Sequence, residues 1–263
     1  MKHRGTISCD ALKIIAMITM LIDHIGAGIL EKMINNSRIS LSDSLLRLIG
    51  RIAFPIFCYL LLQGFIYTRS RAKYAKNLLI FAIISEIPFD YTIYGGLTLL
   101  HQNVFWTLLI GLLTLWGIEL IEKSGLPVSF QLTGIIVTSA AGLLVAALLH
   151  TDYAWTGVAM ILSFYFSRNN RTLQCVTTFV IFFLALTAYY QPYFGNLAST
   201  LLYTINSQWP LLISFLLIYQ CNGIRHIKKG KYLFYAFYPV HLIVLWAVLQ
   251  IINYSLSVTV PIG

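Results

Sequence analysis

The chain has 263 residues, 58% hydrophobic and only 10% charged, with a net charge of +9 and a mean hydropathy of +0.78. No water-soluble domain of that length can hide so much apolar surface, so a soluble protein is excluded and an all-α, polytopic membrane protein is predicted. The basic residues fall in short loops, not in a stripe, which argues against nucleic acid as a partner and for membrane lipids as the surroundings.

Nine apolar windows are long enough to suggest spans, at residues 10–31, 45–67, 76–93, 103–121, 130–149, 153–167, 172–190, 203–219 and 232–252. The sixth is short, and Pro210 interrupts the eighth. The first has the basic start and apolar stretch of a signal peptide. Asp23 and His24 break that stretch and no small-residue cleavage site follows, so an uncleaved span is expected. With the N-terminus in the cytoplasm, the inner loops carry Lys2, Arg4, Arg69, Arg71, Lys73, Lys76, Lys123, Arg168, Arg171, Arg225, Lys228, Lys229 and Lys231. The outer loops carry Lys32 and Arg38. Thirteen cations against two, alternating through every loop, predict about nine spans, a cytoplasmic N-terminus and an outer C-terminus. No repeat or soluble segment interrupts the chain, so residues 1–263 read as one helical domain.

Several polar residues lie where the membrane interior should be. Lys13 and His24, in the first window, are eleven residues apart, on nearly one helix face and about 16 Å apart along the axis. Asp23 adjoins His24. Arg47 and Arg51, in the second window, are i,i+4 neighbours. Arg69, Arg71, Lys73 and Lys76 form a basic inner rim before the third window, which carries Glu86. Gln102 and Asn103 open the fourth at its outer end. Glu119 and Glu122 end that window beside Lys123 and read as solvated. His150 and Asp152 fall in a tight outer loop, where polarity needs no special account. His241 sits near the middle of the last window.

Buried charges must pair, and Arg51 with Asp23 or Glu86 is the natural pairing. Any one of these residues reads as an interhelical contact. Five spans delivering histidines and charges to overlapping depths read as a functional site. Cys9, Cys58, Cys175 and Cys221 have no metal-ligand spacing and read as small buried residues, so no metal is expected.

Stretches of these windows resemble the TraX family. They are Leu12-Lys-Ile-Ile-Ala-Met-Ile-Thr-Met-Leu-Ile-Asp-His24, Arg47-Leu-Ile-Gly-Arg-Ile-Ala-Phe-Pro-Ile-Phe57, Gly64-Phe, Tyr67-Thr-Arg, Ser85-Glu-Ile-Pro-Phe-Asp90 and Gln102-Asn-Val. The likeness runs from about residue 8 to 250. The named member of that family acetylates the N-terminus of conjugative F pilin. The chain is also similar to the wider superfamily of membrane acyltransferases that modify sugars, peptidoglycan and lipopolysaccharide. An Arg or Lys, ten residues and a His mark the first span of that superfamily, and Lys13 and His24 match them. Phe54-Pro-Ile-Phe-Cys-Tyr-Leu-Leu-Leu-Gln-Gly-Phe65 and Tyr235-Ala-Phe-Tyr-Pro-Val-His241 resemble its second and last conserved spans. Lys73 and Lys76 depart from it, standing where arginines are common.

The resemblance implies an acetyl-coenzyme A-dependent acyltransferase in a bacterial cytoplasmic membrane. Lys13, Arg69, Arg71, Lys73 and Lys76 would hold the donor. His24 would be general base or acyl carrier, with Asp23, Glu86 and Arg51 in the catalytic group. Asp23 points about 100° away from His24, so it is expected to pair with Arg51. Glu86 or a group on the last span would then orient the imidazole. Arg47, Gln102, Asn103 and His241 would contact the acceptor, a pilin, peptide or glycan. The alternatives are a proton-coupled transporter or flippase using the same Asp, Glu and His, and an assembly protein without chemistry.

Overall fold

The computed structural model describes residues 5–33, 37–98, 100–224 and 231–259. Lys2, Arg4, Arg225, Lys228 and Lys229 lie outside them, as do the side chains of Arg38 and Lys231. The described residues are helical with no strand. The first helix, α1 (Cys9–Ile25), starts at Ser8, whose hydroxyl accepts from the Ala11 N–H at 3.1 Å. It runs into a π-helical turn, Gly26–Leu30, and a 3₁₀ turn, Glu31–Met33. There follow α2 (Ser37–Gly50), α3 (Ala53–Tyr67), α4 (Arg71–Ile93), α5 (Val104–Glu122), α6 (Val128–Leu148), α7 (Ala154–Phe166), α8 (Arg171–Phe194), α9 (Leu197–Gln208), α10 (Leu211–Tyr219) and α11 (Lys231–Thr259).

Each of the nine apolar windows falls on a helix or a helix pair, yet nine is not the count that length and composition support. Among the described residues six helices are long and apolar enough to cross a membrane, or seven if the bent α9–α10 pair is one span. The α4 helix drops out because Arg71, Lys73, Lys76, Glu86 and Asp90 dilute it. The α7 helix has 13 residues, about 20 Å against a hydrocarbon core of about 30 Å. Pro210, which lacks an N–H, lies at the 53° bend between α9 and α10.

The packing fits a lipid surround. On α6 only Gly142 and Ala146 are buried, while Val128, Phe130, Leu132, Ile136, Val137 and Leu148 are exposed. A face like that is a liability in water and an ordinary surface in hydrocarbon. Gly142 lets α6 approach α5 closely, since a Cβ there would collide with the Thr114 hydroxyl. The centre of the molecule is α5, which packs on α3, α4, α6 and α7, while α7 reaches α3 and α8. Tyr59, Leu112, Leu115, Met160 and Phe164 fill that core.

At one end of the bundle Arg71 clamps Glu119 (Nη2–Oε1 2.9 Å), which also takes Lys123 at 2.7 Å. Tyr165 donates to Glu122 at 2.7 Å. These carboxylates are thus tied into interhelical contacts and not merely solvated, as their position at a helix end suggested. The same end holds the N-terminal segment, where the Ile7 N–H donates to the Gln220 carbonyl at 3.0 Å. All four cysteines are buried and none is in a disulfide; Cys9 Sγ lies 3.4 Å from Cys221 Sγ. At the opposite end the tips of α1 and α2 meet the starts of α5 and α7.

Candidate functional site

Gly50 brings α1 and α2 together, because a Cβ there would overlap the Asp23 side chain. One turn earlier Arg47 pairs with Asp23 (Nη1–Oδ2 2.6 Å). The expected Asp23–Arg51 pairing is therefore corrected: Arg47 takes the bond, and Arg51 bonds Tyr153 while staying within electrostatic reach of Asp23. The i,i+4 spacing would put both guanidinium groups on one face of an unbroken helix, but α2 ends at Gly50 and Arg51 stands in the turn beyond it.

His24 Nδ1 lies 2.6 Å from His241 Nε2. The other nitrogen of His241, Nδ1, is 2.8 Å from the Phe237 carbonyl. A carbonyl only accepts, so His241 carries its proton on Nδ1 and offers a lone pair at Nε2. His24 must then donate from Nδ1, which leaves its own Nε2 unprotonated. Two hydrogen bonds in series thus assign the tautomer of His24. His241, expected to contact the acceptor, instead holds the His24 imidazole. Tyr238 packs edge-on against both rings, at centroid distances of 5.8 and 5.5 Å.

The loop before α7 brings in a residue that the sequence reading set aside. His150, Tyr153 and Ala154 all have positive φ (47°, 62° and 41°), a strained run for residues with a Cβ. Gln102 secures it, with its N–H donating to the His150 carbonyl at 3.2 Å and its carbonyl accepting from the Asp152 N–H at 2.8 Å. Thr107 donates to the Asp152 carbonyl, and Tyr153 stacks on Phe54 at 3.6 Å. This folds Asp152 inward to line a small chamber with His24, Asp23 and Tyr153. Burial pushes its carboxyl up to about 6, with the Asp23 carboxylate adding to the rise. A short polar loop carries no periodic signal, so nothing in the local sequence marks this residue.

Two cavities adjoin at the site. The chamber beside His24 is about 40 Å3. A cavity of about 480 Å3 runs from it toward the α3–α4 junction, where Lys13, Arg69 and Lys73 line it. Met20, Phe57, Val104 and Tyr238 belong to the walls of both. Lys13 also sits over the Phe234 ring, 4.2 Å from its centroid. The expected donor-binding set is thus divided. Arg71 is turned to Glu119 and Lys76 is exposed outside the cavity wall. Arg71, Lys73 and Lys76 share α4, where successive residues point about 100° apart, so these three cannot all face one cleft.

A profile of the TraX protein family matches residues 8–249. The chain belongs to the TraX family. It is similar to the probable fimbrial assembly protein FimC, serogroup H1, of Dichelobacter nodosus, at 29% identity over 252 residues that cover 90% of this chain and 94% of that one. No solved structure matches.

The remaining expected site residues of this TraX chain frame the site from a distance. Glu86 accepts from Asn103 Nδ2 and from Trp106 Nε1 at 2.8 Å. Neither Arg51 nor His24 is its partner, so it does not orient the imidazole. Asn103 is fully buried and its amide is spent: Oδ1 caps α5 at the Phe105 N–H (3.0 Å), and Nδ2 donates to the Ala82 carbonyl (2.8 Å) as well as Glu86. Gln102 acts through its backbone on the Asp152 loop. Among the described residues no group of three His, Cys, Asp or Glu side chains is placed to hold a metal ion.

Proposed function

We propose that this TraX-family chain is a membrane acyltransferase that carries acetyl from cytoplasmic acetyl-coenzyme A to an amine or hydroxyl acceptor at the outer face of a bacterial cytoplasmic membrane. The observation that carries this reading is the Phe237–His241–His24 relay, which leaves an unprotonated nitrogen on His24, in the small chamber that adjoins a larger cavity lined by cations. Lys13, Arg69 and Lys73 suit the phosphates of the donor. A cavity of about 480 Å3 with Met17, Leu60, Leu108 and Tyr235 in its walls suits the narrow pantetheine arm.

In this reading His24 Nε2 removes the proton of the acceptor as it attacks the thioester, and later protonates the departing thiolate. Attack by Nε2 itself, through an acyl-imidazole, is the covalent variant. His241 acts as a positioning residue. The relative's fimbrial role favours a pilin-like N-terminal amine as acceptor; a peptide or glycan fits the same chemistry. The rival reading, a proton-coupled transporter, draws on the charged cluster of Asp23, Arg47, Arg51 and Asp152 beside His24.

The deciding experiment is binding and turnover of radiolabelled acetyl-coenzyme A by purified protein in detergent. Wild type should bind and slowly release acetate, and His24→Ala should bind equally but release none. His241→Ala should lose turnover by about 10²-fold or more, since its imidazole sets the base. Full turnover in His24→Ala would sink the mechanism, and absence of binding in both would turn attention to transport.

A further inference from the structure

Tyr238 has a buried hydroxyl whose proton the fold does not use. The residue is 3% exposed, and that proton has no acceptor among the described residues. Such a group costs stability, so its retention wants a reason. Its ring stands edge-on to Phe105, His24 and His241, which fixes its direction. Tyr238 lines both the large cavity and the chamber beside His24, so it stands where one opens into the other.

The backbone N–H of Val104 reaches that hydroxyl oxygen as a donor. Val104 is the first residue of the 19-residue α5, and it too lines both cavities. First-turn N–H groups have no partner inside their own helix. The Asn103 side chain caps the next one, at Phe105, and the Asn103 carbonyl takes the N–H of Trp106 at 3.1 Å. The N–H of Val104, at the end of a helix dipole that favours negative charge, is directed at the Tyr238 oxygen and leaves the hydroxyl proton unused.

We propose that Tyr238 Oη–H, its oxygen held by the Val104 N–H, is the oxyanion-stabilising donor to the thioester carbonyl of the acetyl donor. This deepens the acyltransferase reading and rests on it. The acceptor nitrogen or oxygen bonds to the carbonyl carbon, and the π pair moves onto the carbonyl oxygen, which accepts from Tyr238 Oη–H. The acceptor's proton goes to His24 Nε2. The pair then returns to re-form C=O, the C–S bond breaks, and the thiolate leaves with that proton as coenzyme A. Tyr238 gives up no proton; it donates a hydrogen bond that strengthens as the charge forms.

The test is Tyr238→Phe, which removes that hydroxyl alone. Release of label from radiolabelled acetyl-coenzyme A is followed with water and with a short peptide bearing a free N-terminal amine, in wild type, Tyr238→Phe and His24→Ala. The expected result is kcat reduced about 10²-fold in Tyr238→Phe, with KM and the donor's Kd unchanged. Its melting temperature should be close to that of wild type. Wild-type kcat in Tyr238→Phe, with His24→Ala inactive, would overturn the oxyanion donor and leave the acyltransferase standing. No turnover by wild type with either acceptor would overturn both.

Discussion

Asp152 and Asp23 face the same two arginines across the His24 chamber. Because the Asp152 carboxyl is raised to about 6 from 3.8, the folded state holds a proton that the unfolded chain gives up at lower pH. Folding is therefore favoured as pH falls from about 6 toward 4, and that contribution is lost as pH rises through 6. The size is at most about 3 kcal/mol, from a shift of about two pH units. Asp152→Asn should remove this dependence. Thermal unfolding of both proteins in detergent at pH 4.5 and 7 measures it, with wild type gaining on the variant at the lower pH. Parallel curves would show that Asp152 titrates normally.

Two elements hold the site in shape, and each depends on one small or polar residue. Where α1 meets α2, Gly50→Ala would drive a methyl group into Asp23 and displace its bond to Arg47. The expected loss is about 1–3 kcal/mol with a matching loss of activity. A melting curve unchanged from wild type would mean the helices approach less closely. At the start of α5, Asn103→Ala removes a cap and leaves the Glu86 carboxylate with the Trp106 N–H alone, its Oε1 being already unpartnered. The expected cost is roughly 2–4 kcal/mol. Asn103→Asp should keep the cap but set two carboxylates together. Stability of that variant at neutral pH equal to wild type would argue that Glu86 is protonated.

Across the whole molecule, the alternation of loop charge calls for opposite membrane sides for the two ends of the bundle. The end with Glu119 and Lys123 would face the cytoplasm, and the end with His101 and Leu149 the outside. The native cysteines are buried, so single exposed positions can report. Ser124→Cys should react with an impermeant thiol reagent only in inverted vesicles, and Leu149→Cys only in intact cells. Labelling of both from one side would overturn the orientation.

Membrane class, helical content and the positions of the helices were legible because apolar runs and loop cations are local signals. His24, with Asp23 and the arginines of α2, stood out for the same reason, since an ionisable residue in an apolar run is conspicuous alone. The count of spans was less legible, because α4 is diluted by charge and α7 is short, and sequence windows register apolarity better than length. Partners were not legible at all. Whether Asp23 bonds Arg47 or Arg51, that His241 holds His24, and that Arg71 serves Glu119 depend on rotation and approach of helices far apart in the chain. Asp152 and the Val104 N–H carry no mark in the sequence, and Tyr238 shows there only as one position of the Tyr235–His241 stretch, because a loop aspartate, one tyrosine among sixteen and a backbone amide acquire their roles only from what faces them. Composition and spacing thus determined the solvent, the helices and one conspicuous buried histidine; packing alone decided which groups share its chamber, since hydrogen bonds and charge pairing act over a few ångströms between residues up to 217 positions apart.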